Sequence, residues 1–155
     1  EIPKRDWSSD VCSSDLVIGD GPERKSLEKL ASKSDSVTFL GEKSQQEMPL
    51  IINQARCFVL NSSFEATSYA LLEARSAGLF CIANSGTGSD EIINHMVDGL
   101  LCGSTGMNLV DALGIFKYDT ELVERAKRLS RVDTLKRFNL NNNYLEIYQL
   151  AKESK

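Results

Sequence analysis

Residues 61–78 read NSSFEATSYALLEARSAG, and the fold that the sequence predicts follows from this stretch. It comes directly after a short apolar run, CFVL at residues 57–60, which is typical of a buried strand. Ser68 is a good N-cap for a helix, and Gly78 stands where a C-cap residue is expected. The stretch therefore predicts a strand, a polar turn and a helix in direct succession.

The start of this predicted helix is suited to bind an anion. The first N–H groups of a helix have no partner within it, and the helix dipole adds about half a positive charge there. Two glutamates, Glu65 and Glu73, lie eight positions apart around the helix start, which corresponds to about 12 Å along a helix. A carboxylate accepts two hydrogen bonds at once and so suits the vicinal hydroxyls of a ribose or a hexose. A ligand with an anion between two groups that carry vicinal hydroxyls would fit such a site, and a nucleotide diphosphate sugar is such a ligand.

Short apolar runs alternate with amphipathic segments along the rest of the chain. Further strands are predicted at four apolar runs: residues 16–18, 37–40, 79–83 and 100–102. Helices are predicted between them and from Gly106 to the end. The alternation predicts an α/β fold with a Rossmann-like, doubly wound parallel sheet and helices at its C-terminal end. Ligands bind such sheets at the carboxyl ends of the strands. Four predicted turns fall at that edge: those at Gly19, Gly41, Glu65 and Gly88.

The composition is that of a soluble globular domain. A chain of 155 residues with 41% hydrophobic and 26% charged residues fits one such domain. The net charge of −4 argues against a general nucleic-acid binder, which would carry a basic face. No apolar run approaches the ~18 residues of a membrane-spanning helix. The four cysteines, which contain no C-x-x-C pair, are Cys12, Cys57, Cys81 and Cys102. We therefore expect a protein of the reducing cytoplasm, with neither a disulfide nor a zinc site.

Five motifs occur in the order that one enzyme family shows. Glu65 and Glu73, with seven residues between them, resemble the E-x7-E motif of retaining GT-B glycosyltransferases, and most closely that of family 4. The other four resemble the family's G-x-G-P turn, V-x-F-L-G strand, G-G-x-P-E-[VI]-I loop and G-x-L strand, at residues 17–22, 37–41, 87–93 and 98–101. The resemblance covers roughly residues 16–150.

The motifs depart from the family pattern at four positions. Ala66 stands where the family often has glycine, and Phe80 stands where it usually has proline. Thr87 replaces the first glycine of a pair, and Asp90 replaces a proline. None of these changes affects the two glutamates, so we still expect the donor to bind. The motif does not predict the geometry of the loops in which the changes fall.

The resemblance implies roles for individual residues. Glu65 would hold the donor sugar and is the predicted catalytic residue, whereas Glu73 would hold the ribose. The N–H groups of Ser68 and Tyr69 would meet the phosphates. The remaining predicted donor-binding residues are Thr67, Gly19, Gly21, Gly41, Glu42, Gly88 and Glu91. Residues 86–88 are interpreted as a phosphate-binding loop, with an ordinary turn as the alternative.

The expected function is that of the C-terminal, donor-binding half of a retaining hexosyltransferase. It would use a nucleotide diphosphate sugar and a glycan or lipid-linked acceptor, as in polysaccharide biosynthesis. The resemblance implies no cofactor and no obligatory metal, because the helix dipole and basic side chains stabilise the leaving diphosphate. The family's upstream Arg and Lys have no counterpart here, and the acceptor would bind through a missing N-terminal domain. We therefore expect a cytoplasmic fragment that is inactive alone, with peripheral association of the full-length enzyme at the inner membrane face left open.

Residues 1–14 differ in character from the rest of the chain. The sequence SSDV at residues 8–11 is nearly repeated by SSDL at residues 13–16. We interpret residues 1–14 as a non-native or disordered stretch, with a natural polar linker as the alternative. Residues 15–155 are then the nucleotide-sugar-binding domain.

Two other functions stay open at this point. One is a sugar-nucleotide epimerase of the GT-B fold. The other is a non-catalytic α/β binding module, such as a receiver-like domain. A receiver needs an aspartate at the end of its third strand, where this chain has LNS at residues 60–62.

Overall fold

The structure is a computed structural model that describes residues 15–64 and 66–139. The chain divides into two compact units, Glu1–Leu50 and Ile51–Lys155. The interpretation of residues 1–14 lies outside the described residues, as does the helix predicted beyond Asn139. The prediction that residues 15–155 form one domain stays a prediction.

The first unit contains two parallel strands and the helix between them. Strand β1 (Asp15–Ile18) pairs with β2 (Val37–Gly41), and helix α1 (Arg24–Ala31) lies between them in sequence. A register shift follows Val17 of β1. Helix α2 (Met48–Ile52) comes next and runs across the sequence boundary between the units.

The second unit is built on three parallel strands in the order β3-β4-β5. Its strands are β3 (Cys57–Leu60), β4 (Phe80–Asn84) and β5 (Leu100–Cys102). Its helices are α3 (Tyr69–Ser76), α4 (Leu109–Tyr118) and α5 (Thr120–Arg137), and a 3₁₀ helix spans Gly88–Glu91. Four of the five residues of β4 are buried, as expected for a strand with both faces covered.

The core of the second unit lies between the sheet and helices α4 and α5. Alternate residues of β4 and β5 face it, since successive side chains of a strand point to opposite faces. The buried cluster comprises Phe80, Ile82, Leu100, Cys102, Ala112, Leu122, Val123 and Ala126. This packing fixes β4, whose carboxyl end leads into the 3₁₀ helix.

The fold class that the sequence predicts is confirmed. Every strand pairing in residues 15–64 and 66–139 is parallel, and helices lie between the strands in sequence. The result is an α/β, Rossmann-like arrangement with helices at its C-terminal end. None of the helices in these two ranges has the length and apolarity required to cross a membrane.

Candidate functional site

The N-terminus of α3 lies after strand β3, where the sequence predicts it. Ser68 is the N-cap residue, with an extended backbone (φ −90°, ψ 104°), and its Oγ accepts a hydrogen bond from the N–H of Leu71 at 3.2 Å. Thr67 and Tyr69 on either side are exposed, whereas Ser68 is buried. Within the described residues, the N–H groups of Ser68 and Tyr69 have no hydrogen-bond partner. The first turn of α3 therefore presents free donors, as the anion-site hypothesis requires.

Glu73 lies in the second turn of the same helix. Its side chain is half-buried, and its carboxylate makes no hydrogen bond or ion pair with any residue that the structure describes. Helical side chains lean toward the N-terminus of their helix, which is the end that carries the free N–H groups. A half-buried carboxylate without a protein partner is available to the hydroxyls of a ligand. Glu65 lies outside the described residues, so its predicted catalytic role stays a prediction.

The loop after β4 is shaped by two of the residues that depart from the family motif. Thr87 is the N-cap of the 3₁₀ helix, and its Oγ1 accepts a hydrogen bond from the N–H of Ser89 at 3.2 Å. The carboxylate of Asp90 accepts from the N–H of Gly86 at 2.6 Å and from that of Thr87 at 2.9 Å. Thr87 and Asp90 thus close the loop on itself.

This closure bears on the predicted phosphate-binding loop. The N–H groups of Gly86 and Thr87 already donate to a carboxylate, and an incoming anion would have to displace that negative charge. The geometry favours the ordinary-turn alternative for these two residues. Gly88 is half-buried and Glu91 is exposed, and their donor-binding roles stay predictions.

The turn residues of the first unit meet at the carboxyl ends of β1 and β2. The N–H of Gly19 donates to the carbonyl of Gly41 at 2.9 Å. Both residues have a positive φ, and a Cβ atom on Gly41 would lie only 2.9 Å from Nη1 of Arg24. The positive φ favours glycine at residue 41, and a larger residue there would also displace the end of the Arg24 side chain. Gly21 and Glu42 beside this pair are exposed.

The structure thus groups the predicted site residues within each unit. Gly19, Gly21, Gly41 and Glu42 belong to the first unit. The second unit contains Thr67, Ser68, Tyr69, Glu73, Gly88 and Glu91. Across the described ranges, no group of three or more His, Cys, Asp or Glu side chains is arranged to hold a metal ion.

A surface depression of about 680 Å³ lies at the junction of α4 and α5, and none of the predicted site residues lines it. Asp111, Asp119 and Glu121 are among the residues that line it, and no Lys or Arg does. An acidic lining is unsuited to a diphosphate, because like charges repel. We therefore assign the candidate site to the start of α3 and not to this depression.

The burial of Arg75 and of its partner Asp98 was not predicted from the sequence. Arg75 of α3 is completely buried, and its guanidinium bonds to Asp98, Asp133 and Thr134. The signal that could have found it is an arginine within an otherwise apolar helix face beside Ala74. Its partners lie 23 to 59 residues away in sequence, so they are visible only in the fold.

Comparison with known sequences adds independent evidence. The chain is 30% identical over 140 residues to the lipopolysaccharide core biosynthesis glycosyltransferase LpsD of Rhizobium meliloti, an alignment that covers 85% of this chain and 40% of LpsD. It is 33% identical over 90 residues to the N-acetyl-alpha-D-glucosaminyl L-malate synthase of Bacillus anthracis, covering 56% of this chain and 23% of that enzyme. The chain therefore spans less than half the length of these relatives.

Solved structures show the same fold. HepE of Anabaena in complex with UDP superposes with a TM-score of 0.79 at 19% identity, covering 90% of this chain and 41% of HepE. The C-terminal domain of LpcC, a glycosyl transferase group 1 family protein from Francisella tularensis, gives a TM-score of 0.69 at 20% identity, covering 82% of this chain and 70% of that domain. These neighbours identify the fold as that of GT-B glycosyltransferases. Residues 15–131 match the model of the family described as glycosyl transferases group 1, and the chain belongs to that family.

Proposed function

We propose that this chain is the C-terminal, donor-binding half of a retaining GT-B glycosyltransferase of family 4. The reaction is the transfer of a hexosyl group from a nucleotide diphosphate sugar to a glycan or lipid-linked acceptor. The observation that carries the proposal is at α3. The half-buried, unpaired carboxylate of Glu73 follows a helix start whose Ser68 and Tyr69 N–H groups are free among the described residues.

The relatives support this substrate class. LpsD is named as a glycosyltransferase of lipopolysaccharide core biosynthesis. The HepE structures contain UDP, UDP with glucose, and UDP-glucose. A nucleotide diphosphate sugar is therefore the donor class we assign to the present chain, with polysaccharide or lipopolysaccharide biosynthesis as the setting.

In the proposed mechanism, α3 stabilises the leaving group. Negative charge develops on the diphosphate as the glycosidic bond breaks, and the N–H groups of Ser68 and Tyr69 with the helix dipole stabilise that charge. Glu73 accepts hydrogen bonds from the ribose hydroxyls, and Glu65 holds the donor sugar. Thr67 contributes a further donor contact, and the donor-binding roles of the glycine turns stay predictions. The proposal requires no cofactor and no obligatory metal.

We further propose that the whole enzyme is cytoplasmic and works at the inner face of a membrane, where a lipid-linked acceptor is found. The acceptor binds through a second domain, so the 155-residue chain alone does not turn over substrate. The resembled family also holds the diphosphate with a basic pair, and we propose that residues 15–155 without such a pair bind nucleotides weakly. The loss of one charge-assisted hydrogen bond weakens binding by about ten- to a hundredfold. We therefore expect a Kd in the millimolar to high micromolar range.

The test is an NMR titration of the isotope-labelled chain with UDP and with GDP. The proposal predicts shifts of the Ser68 and Tyr69 amides that saturate with nucleotide. Uridine and guanosine are the matched controls, since they carry the ribose without the diphosphate and are expected to shift these two amides far less. If neither diphosphate moves the amides around the start of α3, the proposal is wrong.

Nucleotide binding does not distinguish a transferase from an epimerase of the same fold, because an epimerase also binds a sugar nucleotide. Product analysis with a full-length enzyme separates the two. A transferase forms a new glycosidic bond to an acceptor, whereas an epimerase returns an isomeric sugar without an acceptor.

A further inference from the structure

A network of buried polar contacts begins at Arg75, two residues after Glu73 in α3. The side chain of Arg75 is 0% exposed. Its guanidinium donates four hydrogen bonds, to Asp98 Oδ1 at 3.0 Å, the Asp98 carbonyl at 3.2 Å, Thr134 Oγ1 at 3.1 Å and Asp133 Oδ2 at 3.3 Å. Helix α3 is therefore fixed to α5 and to the segment before β5.

Asp133 extends the network toward the loop after β4. The same Oδ2 atom accepts a hydrogen bond from Nη1 of Arg137 at 3.0 Å. Nη2 of Arg137 donates in turn to the carbonyl of Glu91 at 2.7 Å. A continuous path thus joins the helix that carries Glu73 to the 3₁₀ helix that ends at Glu91.

Asp98 provides a second connection between the same elements. Its side chain is 4% exposed, and its carboxylate also accepts from the backbone N–H of Asn94 at 2.9 Å and from Asn94 Nδ2 at 2.7 Å. Asn94 follows the 3₁₀ helix by three residues. Both sides of the network therefore start at Arg75 and end beside the 3₁₀ helix.

Stability alone is a weak reason for such an arrangement. Burying a guanidinium and its carboxylate partners has a large desolvation cost, and apolar side chains of similar size often give a fold of equal or greater stability. A charged network instead fixes the relative positions of the elements it joins, because the planar guanidinium donates hydrogen bonds only in set directions. The geometry that this network fixes is that of two elements carrying predicted donor-binding residues.

We infer that Arg75, Asp133 and Arg137 are positioning residues, which hold α3 and the 3₁₀ helix in the arrangement that binds the donor. This inference rests on the proposed function. The three residues need not touch the donor, and they act through Glu73 and Glu91.

The substitution that tests the inference is Asp133→Asn. It preserves size, removes the charge shared by the two guanidinium groups and leaves the pairing of Arg75 with Asp98 intact. The Asp133 side chain is 26% exposed, so the protein is expected to fold. The matched control is Glu124→Gln on the same helix, which removes a surface carboxylate whose one ion-pair partner among the described residues is Lys127, at 2.9 Å.

The first measurement is the UDP affinity of the complete 155-residue chain. We expect Asp133→Asn to raise the Kd roughly three- to tenfold and Glu124→Gln to leave it unchanged, since network residues remote from a ligand alter coupling on this scale. The loss is expected to shrink when Asp133→Asn is made in a Glu73→Gln background, because the effect acts partly through Glu73. A purely structural contribution would instead lower the melting temperature without changing the Kd.

The second measurement needs no nucleotide. The amides of Ile92 and Ile93 both donate to the Ser89 carbonyl, and that of Leu72 donates to the Ser68 carbonyl. Asp133→Asn is expected to accelerate hydrogen exchange at all three, and Glu124→Gln at none. If the variant changes neither exchange nor affinity, or changes the melting temperature alone, the inference is wrong.

The two measurements also separate this inference from the proposed function. Failure of the parent chain to bind any nucleotide diphosphate overturns the proposed function and the donor-binding part of the inference. The exchange rates then still decide whether the network fixes α3 relative to the 3₁₀ helix. Binding by the parent with unchanged affinity and exchange in Asp133→Asn overturns the inference alone.

Discussion

The ring of Phe80 at the start of β4 stacks on the ring of Phe116 in α4, with centroids 5.7 Å apart and planes inclined by 22°. Phe80 stands where the resembled family usually has proline, and it is 1% exposed. Its N–H donates to the carbonyl of Arg56 at 3.3 Å, a hydrogen bond that proline could not make. The departure from the motif is thus explained by packing and pairing in the core.

We expect Phe80→Ala to lower the free energy of unfolding by about 3–5 kcal/mol, because it leaves a cavity beside Phe116 and removes buried aromatic area. Urea denaturation gives the value. The control is Phe64→Ala, since Phe64 is 90% exposed and its loss is expected to change stability by less than about 0.5 kcal/mol. Equal effects of the two substitutions would contradict the assignment of Phe80 to the core.

Alanine substitution at two serines near the candidate site is expected to change the stability of the protein in opposite directions. The Oγ of Ser89 is buried and has no hydrogen-bond partner in the described part of the chain. Ser89→Ala removes an unsatisfied hydroxyl, and we expect it to raise stability by about 1 kcal/mol. Ser68→Ala removes the N-cap of α3, and we expect a loss of about 1 kcal/mol.

Thermal unfolding of both serine variants checks this pair. A loss of stability in Ser89→Ala would show that its hydroxyl has a partner in solution. A loss of UDP affinity without a loss of stability would instead assign the hydroxyl to the ligand.

The cysteines of the second unit should differ in reactivity. Burial raises the pKa of the Cys81 thiol to about 12, and burial also raises the pKa of Cys102. The thiolate is the reactive form, so at pH 8 both thiols are expected to react with iodoacetamide far more slowly than they do after unfolding. Cys57 is only partly buried and is expected to react before them.

Mass spectrometry of the alkylated peptides measures these rates. At both pH 7 and pH 9, labelling of native Cys81 should stay far slower than labelling of the unfolded chain, because the raised pKa keeps nearly all of the thiol protonated across this range. In denaturant the three rates should converge. Rapid labelling of native Cys81 would mean that β4 is not a buried strand.

The parts of this fold that could be predicted from sequence are those determined locally. The N-cap at Ser68 and the buried strand at β4 follow from side-chain chemistry and hydrophobic pattern within a few residues. The closure of the loop by Thr87 and Asp90 is equally local. Thr87 and Asp90 have the spacing of a capping box. From the sequence they were interpreted only as departures from a glycine-proline motif.

The buried network of Arg75 could not be predicted in the same way. A single arginine in a predicted helix is most simply interpreted as exposed, and only the fold brings Asp98 and Asp133 to it. The pairing of the two glutamates also stays a prediction, because Glu65 lies outside the described residues. Glu73 is therefore the residue at which the proposed site can be tested most directly.

We expect Glu73→Gln to weaken UDP binding by about 1–2 kcal/mol, or roughly five- to thirtyfold in Kd. The substitution preserves size and helix propensity but replaces one acceptor oxygen with a donor. Because the Glu73 carboxylate has no partner among the residues that the structure describes, the free energy of unfolding is expected to stay within about 0.5 kcal/mol of the parent. Isothermal titration or NMR gives the affinities, and urea denaturation gives the stability.

The ligand control is 2′,3′-dideoxy UDP, which has the diphosphate and the base but lacks both ribose hydroxyls. If Glu73 accepts hydrogen bonds from those hydroxyls, the parent binds the dideoxy compound more weakly than UDP, and the variant and the parent bind it equally. The two losses are then not additive, because each removes one side of the same interaction. Were Glu73→Gln to weaken both nucleotides by the same factor, Glu73 would not contact the ribose, and the orientation of the donor proposed for α3 would be wrong.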